Sequence, residues 1–145
     1  MGRLKATGGD TPGGSPCPCG SGRAYGDCCG RFLAGGAVPE TAEQLMRSSY
    51  TAYVRGEADW LRATWHPATR RSHLDLDRQV RWIGLEVLAT QGGGPGDTSG
   101  TVEFVARYKI GGRAYRLHER SRFQHRNGSW LYVDGDLDPD AAAPP

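Results

Sequence analysis

The chain has 145 residues, 37% of them hydrophobic, which is enough for one hydrophobic core with a small appendage and too little for two full domains. Its 18 basic and 16 acidic side chains leave a formal charge of only +2, a field too weak to argue for nucleic acid or an anionic membrane as a partner. Apart from Met1, residues 1–16 hold Leu4 as their only large apolar side chain, and no later apolar run is long enough to span a bilayer. Neither a signal-peptide core nor membrane insertion is expected, and the cytoplasm is the expected compartment.

Residues 1–15 are rich in Gly, Pro, Ser and Thr and are expected to be disordered, as is the tail 137–145, which offers nothing to pack. Between them lie a cysteine- and glycine-rich loop, 16–31, and one continuous patterned domain, 39–136. The domain opens with Pro39-Glu40-Thr41, where Thr41 and Gln44 fit a capping box. Leu45, Met46, Tyr50, Tyr53 and Val54 then recur at helical spacing as far as Gly56, an amphipathic helix of about four turns. A second helical pattern, Ala58–Trp65, is stopped by Pro67, and Asp75–Trp82 reads as another short helix.

After Trp82 the period changes to two. Ile83–Thr90 reads as a strand, Gln91–Gly100 as a flexible loop, and Thr101–Ile110, Arg113–His125 and Ser129–Asp134 as further strands. Gly111-Gly112 and Asn127-Gly128 are two-residue hairpin signals, so the register is readable. Pairing outward from the first turn sets Tyr108 opposite Tyr115, Ala106 opposite Leu117, Phe104 opposite Glu119 and Val102 opposite Ser121. The second turn sets Phe123 opposite Tyr132 and His125 opposite Trp130. One face of the meander is then almost wholly apolar, while the other carries Glu103, Arg107, Lys109, Arg116, His118, Arg120 and Arg122. Helices followed by a curved antiparallel sheet with one apolar face make an α+β fold in which the helices close the concave side, the cone of the nuclear transport factor (NTF2-like) type.

All four cysteines lie in SPCPCGSGRAYGDCCG, as Cys17, Cys19, Cys28 and Cys29. Thiolate is the preferred soft donor of zinc, and four ligands with none left over describe a closed tetrahedral shell, so one structural zinc ion is expected. As four thiolates around one divalent ion, the cluster would bring the formal charge from +2 to about zero. Gly20, Gly22, Gly26 and Gly30 are read as positions of positive φ that bring amide groups close to the sulfurs. The alternatives are disulfides, which a reducing compartment disfavours, and an iron–sulfur cluster, whose familiar cysteine runs are spaced differently.

The segment CPCGSGRAYGDCCG, with its Cys-Gly-Ser-Gly core and spaced aromatic Tyr25, resembles the SEC-C motif, a zinc knuckle best known from the preprotein translocase motor ATPase. The blocks LMRSSYTAYVRGEADWLRATWHP, WIGLEV, GTVEFVARY, HERSRF and NGSWLYVDG resemble, in order, the YchJ-like family of bacterial proteins. The resemblance covers most of residues 16–135 and implies an NTF2-like central domain and a metal, without naming a reaction. Members of that family often carry a second SEC-C motif at the carboxyl end; this chain has no cysteine after Cys29.

Among the remaining residues Glu119 stands out, because the register puts its carboxylate on the apolar face beside Phe104, Leu117 and Ser121. A buried carboxylate must be paired or neutral. Either Arg47 on the first helix reaches it as a buried ion pair, or Glu119 is a general acid or base in a cavity that Arg47, Phe104, Ser121 and Tyr132 help to line. His118 belongs to the basic face; His66, His73 and His125 have no visible constellation. The aromatic residues read as core or cavity lining. These observations name no reaction. They point to a zinc knuckle that docks on a partner protein, carried by an NTF2-like scaffold. The rival readings are a small-molecule site in the cone and a nucleic-acid or ribosome contact through Arg107, Arg116, Arg120 and Arg122.

Overall fold

A computed structural model of the protein describes residues 11–139. Residues 1–10 and 140–145, most of the two segments expected to be disordered, lie outside the described residues. Residues 13–15 depart from that expectation, since Gly13 O and Ser15 O accept hydrogen bonds from Gly26 N (2.9 Å) and Tyr25 N (2.7 Å). The turn at Tyr25–Asp27 needs backbone acceptors, and this strand of the loop supplies them.

The helices are α1 (Cys29–Leu33), α2 (Ala42–Arg55) and α3 (Ala58–Ala63), followed by β1 (Arg81–Gly92), β2 (Ser99–Ile110), β3 (Arg113–Arg126) and β4 (Ser129–Leu137). Thr41 caps α2 as its spacing predicts, its hydroxyl accepting from Gln44 N at 3.0 Å. The Gln44 amide oxygen accepts in return from Glu40 N, one residue before the cap. The helix ends at Gly56, whose φ of 77° lies in the left-handed region that only glycine enters at no cost.

The four strands form one antiparallel meander in the order β1-β2-β3-β4. All six cross-strand pairs read from the hairpin signals are present, from Tyr108↔Tyr115 through Val102↔Ser121 to Phe123↔Tyr132 and His125↔Trp130. Leu45, Met46 and Tyr50 of α2 are buried with Val102, Phe104, Ala106, Phe123 and Trp130 of the sheet in one core cluster. This is the expected α+β cone.

Three expectations about elements change. Asp75–Trp82 is not a helix, because the Asp77 carboxylate accepts from Gln79 N and Val80 N bonds Asp77 O, a local turn that competes with helical bonding. The Gly-rich loop is shorter than predicted: Gln91 and Gly92 pair with Thr101 and Gly100, so only residues 93–98 form the turn. Finally, β4 runs past Asp134 to Leu137, which pairs with Glu119, and the Asp134 and Asp136 carboxylates both receive Arg122 of β3. The same pairing orders the first residue of the predicted tail.

Candidate functional site

Cys17 and Cys19 come from the first limb of the loop, Cys28 and Cys29 from the turn into α1. Their four sulfur atoms lie within 4.8 Å of one another, and all four residues are at most 6% exposed. Cys19 Sγ and Cys28 Sγ stand 3.7 Å apart. That is far beyond a disulfide bond of about 2.05 Å. It is close to the ~3.8 Å edge of a tetrahedron of sulfurs each 2.3 Å from a central ion. Four sulfurs this close suit one shared ion better than a cluster in which each ligates its own iron. Hydrogen bonds from Cys19 and Cys29 pull the Cys17 thiol down to about 3, while the bonds to Cys17 and Cys19, and then burial, push Cys29 far up. Four like groups cannot all ionise here without a cation, and the donor set therefore fits a divalent metal.

Gly20 and Gly22 have φ of 78° and 85°, as predicted for the loop. Gly26 and Gly30 do not, so their requirement is different. A Cβ at Gly30 would sit 2.8 Å from both the ring and the carbonyl oxygen of Tyr25, so this glycine admits the aromatic ring against α1. The Arg55 guanidinium lies over the same ring, 4.9 Å from its centroid.

The knuckle is not a separate appendage. All four cysteines and Tyr25 belong to the same buried cluster as Leu45, Met46, Tyr50 and Trp130. Cys17 Sγ lies 3.8 Å from the hydroxyl of Thr51, which is fully buried on α2. Arg47 is the main polar link: its guanidinium donates to Cys19 O at 2.8 Å and pairs with Glu43 at 2.9 Å. The expected Arg47–Glu119 ion pair is therefore absent, and Arg47 does not line the cone. It leaves α2 on the side where the knuckle packs, and the carbonyl of Cys19 satisfies it there.

Inside the cone is a cavity of about 370 Å³. Two aromatic walls bound it, one built from Tyr50, Tyr53 and Trp82, the other from Trp65, Tyr132 and Phe123. Phe104, Glu119, Ser121 and Tyr132, four of the five residues expected at such a cavity, line it. Glu119 Oε2 accepts from Ser121 Oγ at 2.6 Å and from Tyr132 OH at 3.4 Å, and no cation lies within ion-pair distance among the described residues. Burial, and then the negative charge of Glu119, hold the phenols of Tyr132 and Tyr53 above their ordinary range. Sequence reasoning missed Gly135, where a Cβ would overlap the Glu119 carboxylate. The predicted strand stopped at Asp134, so Gly135 was not read as a strand glycine, the kind that marks a close approach. Arg71 and Leu74, from the loop between α3 and β1, also line the cavity, and nothing in their local pattern announced it.

The outer face of the sheet is less basic than its composition suggests. Arg122 pairs with Asp134 and Asp136, and Arg120 and His118 both reach Glu103, the latter at 2.7 Å. Arg107 and Arg116 have no ion pair among the described residues.

Comparison with known proteins agrees with this architecture. The family model described as YchJ, middle NTF2-like domain, matches residues 41–135, and the SEC-C motif model matches residues 15–31. A UPF0225 protein of Cupriavidus pinatubonensis is 54% identical over 134 residues, covering 88% of this chain and 92% of that one. A UPF0225 protein of Streptomyces coelicolor is 53% identical, covering 84% of this chain and 95% of its own. Among solved structures, a SEC-C motif containing protein of Rhodopseudomonas palustris is similar with a TM-score of 0.74 at 37% identity, covering 84% of this chain and 98% of that one. A second, from Psychrobacter arcticus, has a TM-score of 0.67 at 27% identity over 83% of this chain and 81% of its own. No helix among the described residues is long and apolar enough to cross a membrane. With its SEC-C cysteines buried against an NTF2-like cone, the chain belongs to the YchJ-like, UPF0225 family of proteins.

Proposed function

We propose that the protein is a small-molecule binding protein whose ligand enters the cone and whose knuckle holds one zinc ion as a structural clamp on α2. The observation that carries this reading is the cavity of about 370 Å³ with an uncompensated carboxylate between two aromatic walls. A core built only for stability closes such a space, because interiors pack to the density of organic crystals. The indole N–H of Trp65, another lining residue, supports the same reading: it is buried without a hydrogen-bond partner among the described residues, and such orphaned donors are rare in a finished core.

Zinc, when bound, supplies charge neutralisation and a cross-link, with no coordination place left for chemistry. The protein's own residues do the rest. Arg47 fastens the Cys19 turn to α2, and α2 contributes Tyr50 and Tyr53 to one wall of the cavity. Metal analysis of protein expressed with ample zinc is expected to give about one zinc per chain; none, with four free thiols, overturns the clamp. A ligand-observed NMR screen of the zinc-loaded protein tests the cavity. Hits are expected to bind wild type and Arg107→Ala alike and to be lost in Ser49→Trp, which fills the space. Hits that bind Ser49→Trp equally well refute the reading.

Docking of a protein partner on the knuckle has a different support. A groove of about 330 Å³ runs between the knuckle and α2, with Arg23, Arg31 and Arg47 along it beside Cys28 and one acidic residue, Glu43, already paired with Arg47. It suits an acidic segment. Titration with a hexaglutamate peptide is expected to show binding that Arg23→Glu and Arg31→Glu abolish, and no binding to wild type removes this second role.

A further inference from the structure

We propose that the cone selects organic cations: its ligand is an ammonium compound with an apolar or aromatic body, its charge seated against Glu119 between the two aromatic walls. This rests on the cone being a binding site at all, and it adds which chemistry the site prefers.

The argument begins with the charge that has no partner. Glu119 projects from β3 onto the concave face, between Leu117 and Ser121 of the same strand. Its Oε2 is held by two hydroxyl donors, Ser121 and Tyr132, and its Oε1 has no hydrogen bond among the described residues. Hydroxyl donors orient a carboxylate without neutralising it. The cation that the sequence offered, Arg47, is turned away to Cys19. Arg71 lines the same cavity and acts on Tyr53, but it makes no ion pair with Glu119 among the described residues, so a ligand's positive charge complements the carboxylate.

The walls point the same way. On one side Tyr53 and Trp82 have ring centroids 5.7 Å apart; on the other Trp65 and Tyr132 stand at the same separation, inclined at 68°. Ring faces are negative, so aromatic walls attract an ammonium group and pack against its alkyl substituents together. A neutral ligand would use the rings and waste the carboxylate. An anionic ligand would meet Glu119 and would have in its favour Arg71, an exposed residue and the one cation among the lining residues. Gly135 belongs to the device as well, since a side chain there would displace the carboxylate from its position.

The test uses three probes with one body and different charges: 2-phenylethylamine, protonated at neutral pH, 2-phenylethanol and phenylacetate. Binding to the zinc-loaded protein is read by tryptophan fluorescence, because Trp65 and Trp82 line the cavity, and by calorimetry. The amine is expected to bind at least ten-fold more tightly than the alcohol, and phenylacetate more weakly than both. Glu119→Gln is expected to erase the difference between amine and alcohol while leaving alcohol affinity within about two-fold, which also shows that the variant cavity is intact. Tyr132→Phe, which keeps the ring and the carboxylate, is expected to retain the preference. Equal affinity of amine and alcohol for wild type, tightest binding of phenylacetate, or a preference that survives Glu119→Gln overturns the charge selection while leaving the cone as a binding site. Failure of all three probes to bind overturns both.

Discussion

Replacing Arg47 by Met tests the joint between knuckle and cone. Methionine keeps an unbranched apolar stem of similar length, so the substitution removes the guanidinium and little else. Three interactions go with it, the weakest a long contact of 3.9 Å to Cys19 Sγ. The bond from the guanidinium to Cys19 O is 2.8 Å long and about four-fifths shielded, with the Arg47 side chain 21% exposed. A hydrogen bond from a charged donor in such surroundings contributes about 1.5–3 kcal/mol. The pair with Glu43, one helical turn away and with that side chain 41% exposed, adds about 0.3–0.5 kcal/mol. The total is about 2–3.5 kcal/mol, or a fall in Tm of about 6–11 °C for a domain of this size. Differential scanning calorimetry of the zinc-loaded protein measures it. Release of zinc to a chromogenic chelator is expected to accelerate in parallel, because the turn carrying Cys19 loses its anchor. The double variant with Glu119→Gln is expected to be additive within about 0.5 kcal/mol, the two sites sharing no contact. A Tm within about 2 °C of wild type, or strong coupling to Glu119, would refute the placement of Arg47.

Removing the metal is expected to unfold more than the knuckle: with the cysteines in the same cluster as Leu45 and Tyr50, chelation or Cys28→Ser should abolish near-ultraviolet circular dichroism and melt the cone in one transition. A metal-free protein with a fully native cone would show two independent units. Gly30→Ala forces a methyl group against Tyr25 and is expected to cost about 1–3 kcal/mol by overpacking, read as a lower melting temperature with zinc present. On the outer face, the hydrogen bond from His118, then that from Arg120, holds the Glu103 carboxyl below the usual carboxylate range. A depressed folded value contributes stability that is complete above the unfolded value of about 4.3 and fades as pH falls through the folded one. Glu103→Gln is therefore expected to be less stable than wild type at pH 7, with the gap narrowing as pH falls below about 4.3, as urea melts from pH 7 down to the onset of zinc release would record.

What was legible in the sequence was whatever local chemistry decides. Thr41 and Gly56 bracket α2 because a side-chain acceptor and a left-handed φ act within one turn of the chain. The register followed from Gly111-Gly112 and Asn127-Gly128, and with it the face of Glu119, since alternation leaves only two choices. The four cysteines were legible as one cluster because no other residues compete for a tetrahedral shell. The partner of Glu119 was not legible, and the reason lies on α2. Ser48, Thr51 and Ala52 are small or polar and lie outside the apolar stripe that the spacing picks out, yet each is fully buried. Ser48 accepts the indole N–H of Trp60 on α3, and Thr51 meets Cys17 of the knuckle. The helix thus packs on more than its apolar stripe, and small residues allow that by letting neighbours approach closely. Once the knuckle is recognised as one of those neighbours, Arg47 has a nearer acceptor than Glu119, and its direction follows. Whether the cone is filled was beyond the pattern for a related reason: alternation assigns side chains to the concave face but does not sum their volumes against the curvature of the sheet. Glu119 shows how the two gaps are linked. With Arg47 drawn to the knuckle, no cation of α2 closes over the carboxylate, and the packing that clamps the metal loop also leaves the charge of the cone open to a ligand.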